Sequence, residues 1–107
     1  MTKAQIEKLA LTVVGTYIQK YVPPHPQGLF MSIAKVKISP DLTMLNIYFD
    51  LIATTPLDLE STLQALFVAH GWRLKKYMAT HLRHRLRRVP TTLQFCLQKD
   101  PFEMGIL

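Results

Sequence analysis

Two runs of alternating apolar and polar residues, separated by a short turn motif, constrain this chain more than any other feature. From Met31 to Ile38 the alternation places Ala34, Val36 and Ile38 on one face and Lys35 and Lys37 on the other. From Met44 to Leu51 it recurs, with Leu45, Ile47, Phe49 and Leu51 pointing inward. Between the runs stands Ser39-Pro40-Asp41-Leu42. Pro40 presets φ for a turn position, and the side chains of Ser39 and Asp41 can bond nearby backbone amides, so an antiparallel hairpin follows. A hairpin with one apolar face needs helices to cover it.

The sequence supplies those helices on both sides. Ile6, Ala10, Val13, Tyr17 and Tyr21 recur at spacings of three and four, with Leu9, Val14 and Ile18 broadening the stripe, so Lys3 to Tyr21 reads as an amphipathic helix. Val22-Pro23-Pro24-His25-Pro26-Gln27-Gly28 cannot extend it, because its prolines remove donors and fix φ. After the hairpin, Thr55-Pro56-Leu57-Asp58 has the form of a helix start, with Thr55 as N-cap, Pro56 at the first helical position and Asp58 closing a capping box. Leu59, Leu63, Leu66 and Phe67 line the face that follows, up to Ala69-His70-Gly71. A second period runs from Trp72 to about Leu86, with Leu74, Met78, Leu82 and Leu86 inward, and Val89-Pro90 ends it. Leu93, Phe95 and Leu97 then alternate as a third strand. The expected architecture is α+β, in the order α-β-β-α-α-β, as one domain over the 107 residues with a flexible tail after about residue 100.

Composition turns this scaffold into a functional question. Thirteen Lys and Arg against seven Asp and Glu give a formal charge of +6, and that charge is segregated. No acid lies between Glu60 and Asp100, where Arg73, Lys75, Lys76, Arg83, Arg85, Arg87, Arg88 and Lys99 stand with His70, His81 and His84. The rest of the chain is slightly acidic. On the helix from Trp72, Arg73, Lys76, Arg83, His84 and Arg87 point away from the Leu74-Met78-Leu82-Leu86 stripe, and no acid at the i,i+4 spacing neutralises them. Part of the C-terminal cluster complements the helix dipole, but that rarely requires four arginines. Self-repulsion along such a face is easier to explain by an external polyanion, and RNA fits better than duplex DNA because no helix-turn-helix spacing is evident. Gly71, with the small Ala69, allows a sharp bend that would aim the next helix's opening amides at a phosphate; a simple C-cap glycine accounts for the same residues.

The remaining chemistry is sparse. Cys96 is the only cysteine, which excludes an intrachain disulfide and fits a reducing compartment. Flanked by glutamines on a strand, it has no base partner to make it a nucleophile. His81 and His84 lack the carboxylate or thiolate that a metal site would need. Asp41, Asp58 and Glu60 are accounted for by turn and cap roles, and no phosphate-loop or dinucleotide glycine pattern is present. Trp72 and Tyr77 could stack on bases, although aromatic residues at helical spacing are more often core. No apolar run reaches the ~20 residues of a membrane span and no signal peptide is indicated, so the expected location is cytoplasmic. Neither an enzyme, a cofactor nor a metal is expected.

Several of these segments together resemble one family. Val36-Lys37-Ile38-Ser39-Pro40-Asp41-Leu42, Ala69-His70-Gly71-Trp72-Arg73, and Leu82-Arg83-His84-Arg85-Leu86-Arg87-Arg88-Val89-Pro90 leading into Leu93-Gln94-Phe95 are similar to bacterial ribosome-binding factor A, over roughly residues 3 to 100. The resemblance implies a type II KH-like domain whose Gly-x-x-Gly loop is replaced by an Ala-x-Gly kink at Ala69, His70 and Gly71, between a second and a third helix. It further implies binding to the small (30S) ribosomal subunit and its rRNA, help in late maturation and processing of that rRNA, and a part in cold adaptation. Assembly GTPases would be further partners, and the free protein would be a monomer. The RNA-binding residues expected from the basic face are Arg73, Lys76, Arg83, His84, Arg87 and Arg88. The Pro-rich loop at residues 23–28 and a tail without a long basic extension depart from the family pattern. An alternative reading is a basic interaction domain that docks on an acidic protein, and a small nuclease is a third.

Overall fold

The computed structural model describes residues 2–22, 29–54, 58–86 and 89–98. Within them the order is α1 (Lys3–Tyr21), β1 (Leu29–Ile38), β2 (Met44–Ala53), α2 (Leu59–Leu82) and β3 (Thr92–Leu97). The sheet runs β1-β2-β3, antiparallel between the first two and parallel between the last two. Both helices pack on one face of it, where Leu45, Ile47 and Phe49 are wholly buried with Val14, Leu74, Met78 and Leu82. The other face carries Lys35, Lys37, Asp50 and Gln94 to solvent. This is the expected α+β domain, built with two helices where three were expected.

The hairpin forms as its turn residues require. Asp41 Oδ1 accepts from the Ser39 hydroxyl (2.6 Å), the Thr43 hydroxyl (2.8 Å) and the Thr43 amide (3.2 Å), while Ser39 N–H donates to the Met44 carbonyl (2.8 Å). Those bonds hold the Asp41 carboxyl at about 2, well below its ordinary range. Leu42 sits at φ 64°, an unfavourable angle for a branched residue, with its side chain packed against the core. All four inward residues expected on β2 are buried. On β1 the register shifts between Ile33 and Lys35, so Ala34 is exposed rather than inward. The extra residue exchanges the faces: Leu29, Met31 and Ile33 face the core before it, and Val36 and Ile38 after it.

The helix ends also differ from expectation. α1 opens on a capping box in which the Gln5 amide donates to Thr2 Oγ1 and the Thr2 amide to Gln5 Oε1. Its buried stripe is Ile6, Ala10, Val14 and Tyr17, and Tyr21 at its end is 53% exposed. α2 is capped by Asp58, which accepts from the Ser61 amide and hydroxyl, one turn later than the expected start at Thr55. Residues 55–57 lie outside the described residues, as do the Pro-rich loop at 23–28 and the tail from 99. α2 ends at Leu82 rather than Leu86; Arg83 caps it, and the amides of Arg85 and Leu86 both donate to the Leu82 carbonyl in one further tight turn.

The main correction concerns Ala69-His70-Gly71. α2 passes through all three without a break, so there is no C-cap and no second N-terminus at this point. In a continuous helix the amides near Gly71 donate to carbonyls four residues back and are not available to a phosphate. A glycine in a helix interior costs about 1 kcal/mol relative to alanine. The benefit lies in packing, because a Cβ at Gly71 would come within 3.3 Å of two carbons of the Phe67 ring. That ring meets Phe95 edge-on at 5.0 Å, and Phe95 in turn tilts against Phe49 at 4.8 Å. Gly71 thus makes room for the aromatic contact between α2 and β3.

Candidate nucleic-acid interface

The apolar stripe of α2 fixes which of its residues face water. With Leu63, Leu74, Met78 and Leu82 buried, the 100° rotation per residue turns Val68, Ala69, Trp72, Arg73, Lys76 and Thr80 outward, and all are exposed. Arg83 caps the helix in right-handed helical geometry (φ −60°, ψ −25°), seven residues after Lys76 and so on the same line, about 10 Å further along the axis. Arg83, His84 and Arg85 are exposed in the turn that follows. The structure therefore places Arg73 and Lys76 together on the helix face, and Arg83 and His84 at its C-terminal end. Arg87 and Arg88 lie outside the described residues. Lys3, Lys8 and Lys20 are exposed along α1.

Of the acids of the described residues, Glu7, Asp41 and Asp58 are held in local bonds, and Asp50 is exposed on the face of the sheet that the helices leave open. Glu7 Oε2 accepts from the Ile38 amide at 2.7 Å, Asp41 organises the hairpin turn, and Asp58 caps α2. Ser61's two bonds hold the Asp58 carboxyl below its ordinary range. Glu60 lies in the first turn of α2, thirteen residues before Arg73, or about 20 Å along the axis. That is roughly two screening lengths at 0.1 M salt, too far to neutralise the cations. The helix is acidic at its start and basic over its second half. This polarity complements the dipole, yet Arg73 and Lys76 lie too far from the last turn for that to explain them.

His70, one of the three residues at which a kink was expected, joins the two helices. Its Nδ1 lies 2.9 Å from the Tyr17 hydroxyl, and the rings meet edge-on at 5.8 Å. Burial raises the Tyr17 phenol above its ordinary value, so it stays neutral and available as a donor. Tyr77 is half-buried in the same aromatic cluster, stacked on His81 at 3.9 Å, which agrees with its reading as core. Trp72 does not: it is 65% exposed, with Lys76 Nζ 5.1 Å and Lys75 Nζ 5.6 Å from its ring centroid. The signal in the sequence was the Trp-x-x-Lys-Lys spacing, which sets both lysines one turn beyond the indole.

Among the described residues no three His, Cys, Asp or Glu side chains come together as a metal site. Cys96 is half-buried, and burial raises its thiol above the ordinary value, which disfavours the nucleophilic thiolate. No helix among the described residues is long and apolar enough to cross a membrane.

Comparison with known proteins agrees with the resemblance read from the sequence motifs. No family model and no curated protein matches the chain. Among solved structures, ribosome-binding factor A from Thermus thermophilus is similar at 25% identity and a TM-score of 0.67, over 90% of this chain and 94% of that one. A homology model of the Thermus factor fitted into the cryo-EM map of a 30S complex is similar at 25% identity and a TM-score of 0.64, over 89% and 93% of the two chains.

Proposed function

We propose that this chain, which resembles ribosome-binding factor A in its motifs and in its fold along nine-tenths of its length, is a non-catalytic assembly factor of the small ribosomal subunit. It binds the 30S particle in the cytoplasm through rRNA and assists late maturation and processing of that RNA, alongside assembly GTPases. One observation carries the reading: the solvent face of α2 and its C-terminal turn present Arg73, Lys76, Arg83, His84 and Arg85 with no acid from residue 61 to residue 98. A face of this kind repels itself in the free protein and is relieved by phosphates, whose condensed counterions are released on binding. The Thermus factor fitted on its 30S subunit supports the choice of polyanion.

Arg73→Glu, Lys76→Glu and Arg83→Glu together test the assignment. All three side chains are exposed, so the variant folds as the parent does. Co-sedimentation with purified small subunits should fall sharply, and cells lacking the gene should grow slowly in the cold with unprocessed small-subunit rRNA precursor. Unchanged co-sedimentation of the folded variant refutes the proposed face.

A further inference from the structure

Trp72 is the only tryptophan of the chain, and its exposure is unexplained by the core. Large apolar groups held in water mark binding surfaces when they cluster, and Val68, four residues earlier on the same face, is 75% exposed. Helical side chains lean toward the N-terminus, so the indole inclines over Val68 and Ala69, which present no tall side chain against it. Lys75 and Lys76 reach it from the following turn, both within the ~6 Å range over which an ammonium is attracted to a ring face.

The lysines decide what kind of ligand suits the indole. An apolar protein pocket closing over it would have to strip water from two ammonium groups without pairing them, which is costly. A nucleotide supplies a π-face for the ring and phosphates for the ammoniums at once. Paired RNA keeps its base faces stacked inside the helix, so only an unpaired base can offer that face.

We propose that Trp72 is a stacking platform for one unpaired nucleobase, and that Lys75 and Lys76 hold the phosphates beside it. This rests on the RNA-binding reading of α2 and sharpens it: the face selects single-stranded over duplex RNA.

Emission from the sole tryptophan reports the contact directly. The full chain is titrated with a short single-stranded oligoadenylate and, separately, with that strand annealed to its complement. The single strand should quench Trp72 and the duplex should not. Binding by the Trp72 variants, which lack that emission, is read from the anisotropy of a dye-labelled strand: Trp72→Leu, which keeps apolar area but removes the π-face, should weaken single-strand binding by roughly 5- to 160-fold, the ~1–3 kcal/mol of a stacked base. Duplex binding should be unaltered, and Trp72→Phe should retain most of the single-strand affinity. Equal quenching by both RNAs, or a Trp72→Leu variant that loses both equally or neither, overturns the platform. If Trp72→Leu binds as the parent does while reversal of Arg73, Lys76 and Arg83 abolishes binding, the stacking inference fails and the cationic interface stands. If neither RNA binds, both fail.

Discussion

Gly71 separates a packing role from a backbone role, and Gly71→Ala measures the difference. In the interior of α2 the substitution removes glycine's entropic penalty, a gain of about 1 kcal/mol. Against this, the new Cβ stands 3.3 Å from Cδ2 and Cε2 of Phe67 and 3.5 Å from Cζ, inside or at the edge of the ~3.5–4.0 Å carbon–carbon optimum. The ring must retreat by a few tenths of an ångström, which loosens its edge-on contact with Phe95 at 5.0 Å. An aromatic pair is worth about 0.5–1.5 kcal/mol beyond its burial, and only part of that is lost. The two effects nearly cancel, so urea unfolding should place Gly71→Ala within about 1 kcal/mol of the parent. In a Phe67→Ala background the opposing contact is gone, and Gly71→Ala should then stabilise by about 1 kcal/mol. A loss above about 2 kcal/mol in both backgrounds would mean that the backbone needs a conformation only glycine provides, and the continuous helix would be refuted.

The Asp41 carboxyl is held at about 2 against an ordinary 3.8, so its folded form binds a proton less readily than its unfolded form. Its contribution is complete above pH 4 and is lost as pH falls through 2; Asp41→Asn should flatten the urea midpoint across that interval, and a slope equal to the parent's would refute the turn's role. Asn46 Oδ1 is buried without a hydrogen-bond partner among the described residues. Asn46→Val, which removes the unpaired acceptor and suits a strand, should raise stability by about 1 kcal/mol in the same assay, and a destabilised variant would show that the amide is satisfied.

Legibility in the sequence followed the range of the interactions. The hairpin was readable because Ser39, Pro40 and Asp41 act within their own turn, and the four inward residues of β2 because alternation is local. Ala34 was misplaced because a bulge moves the face without leaving a mark in composition. The break at Gly71 was expected because glycine ends helices more often than it fills them. Two signals pointed the other way: no Ser, Thr, Asp or Asn precedes Trp72 to cap a new helix, and Phe67 stands one turn before Gly71, where its ring needs the space. The cationic face was legible as charge without compensating acid. Trp72 was not, because the helical period alone does not separate a core aromatic from an exposed one; its two lysines carry that information.

The central claim, that the exposed face of α2 meets rRNA phosphates, is tested most directly by the salt dependence of binding to purified small subunits. Affinity is measured from low to moderate salt for the parent and for the Arg73→Glu, Lys76→Glu, Arg83→Glu variant. Each phosphate contact contributes roughly −0.7 to the log–log slope on single strands, so three lost contacts should make the variant's slope shallower by about 2 as well as lowering its affinity. A variant with the parent's slope would contradict the account, since its cations would then not be the groups that displace counterions from the RNA.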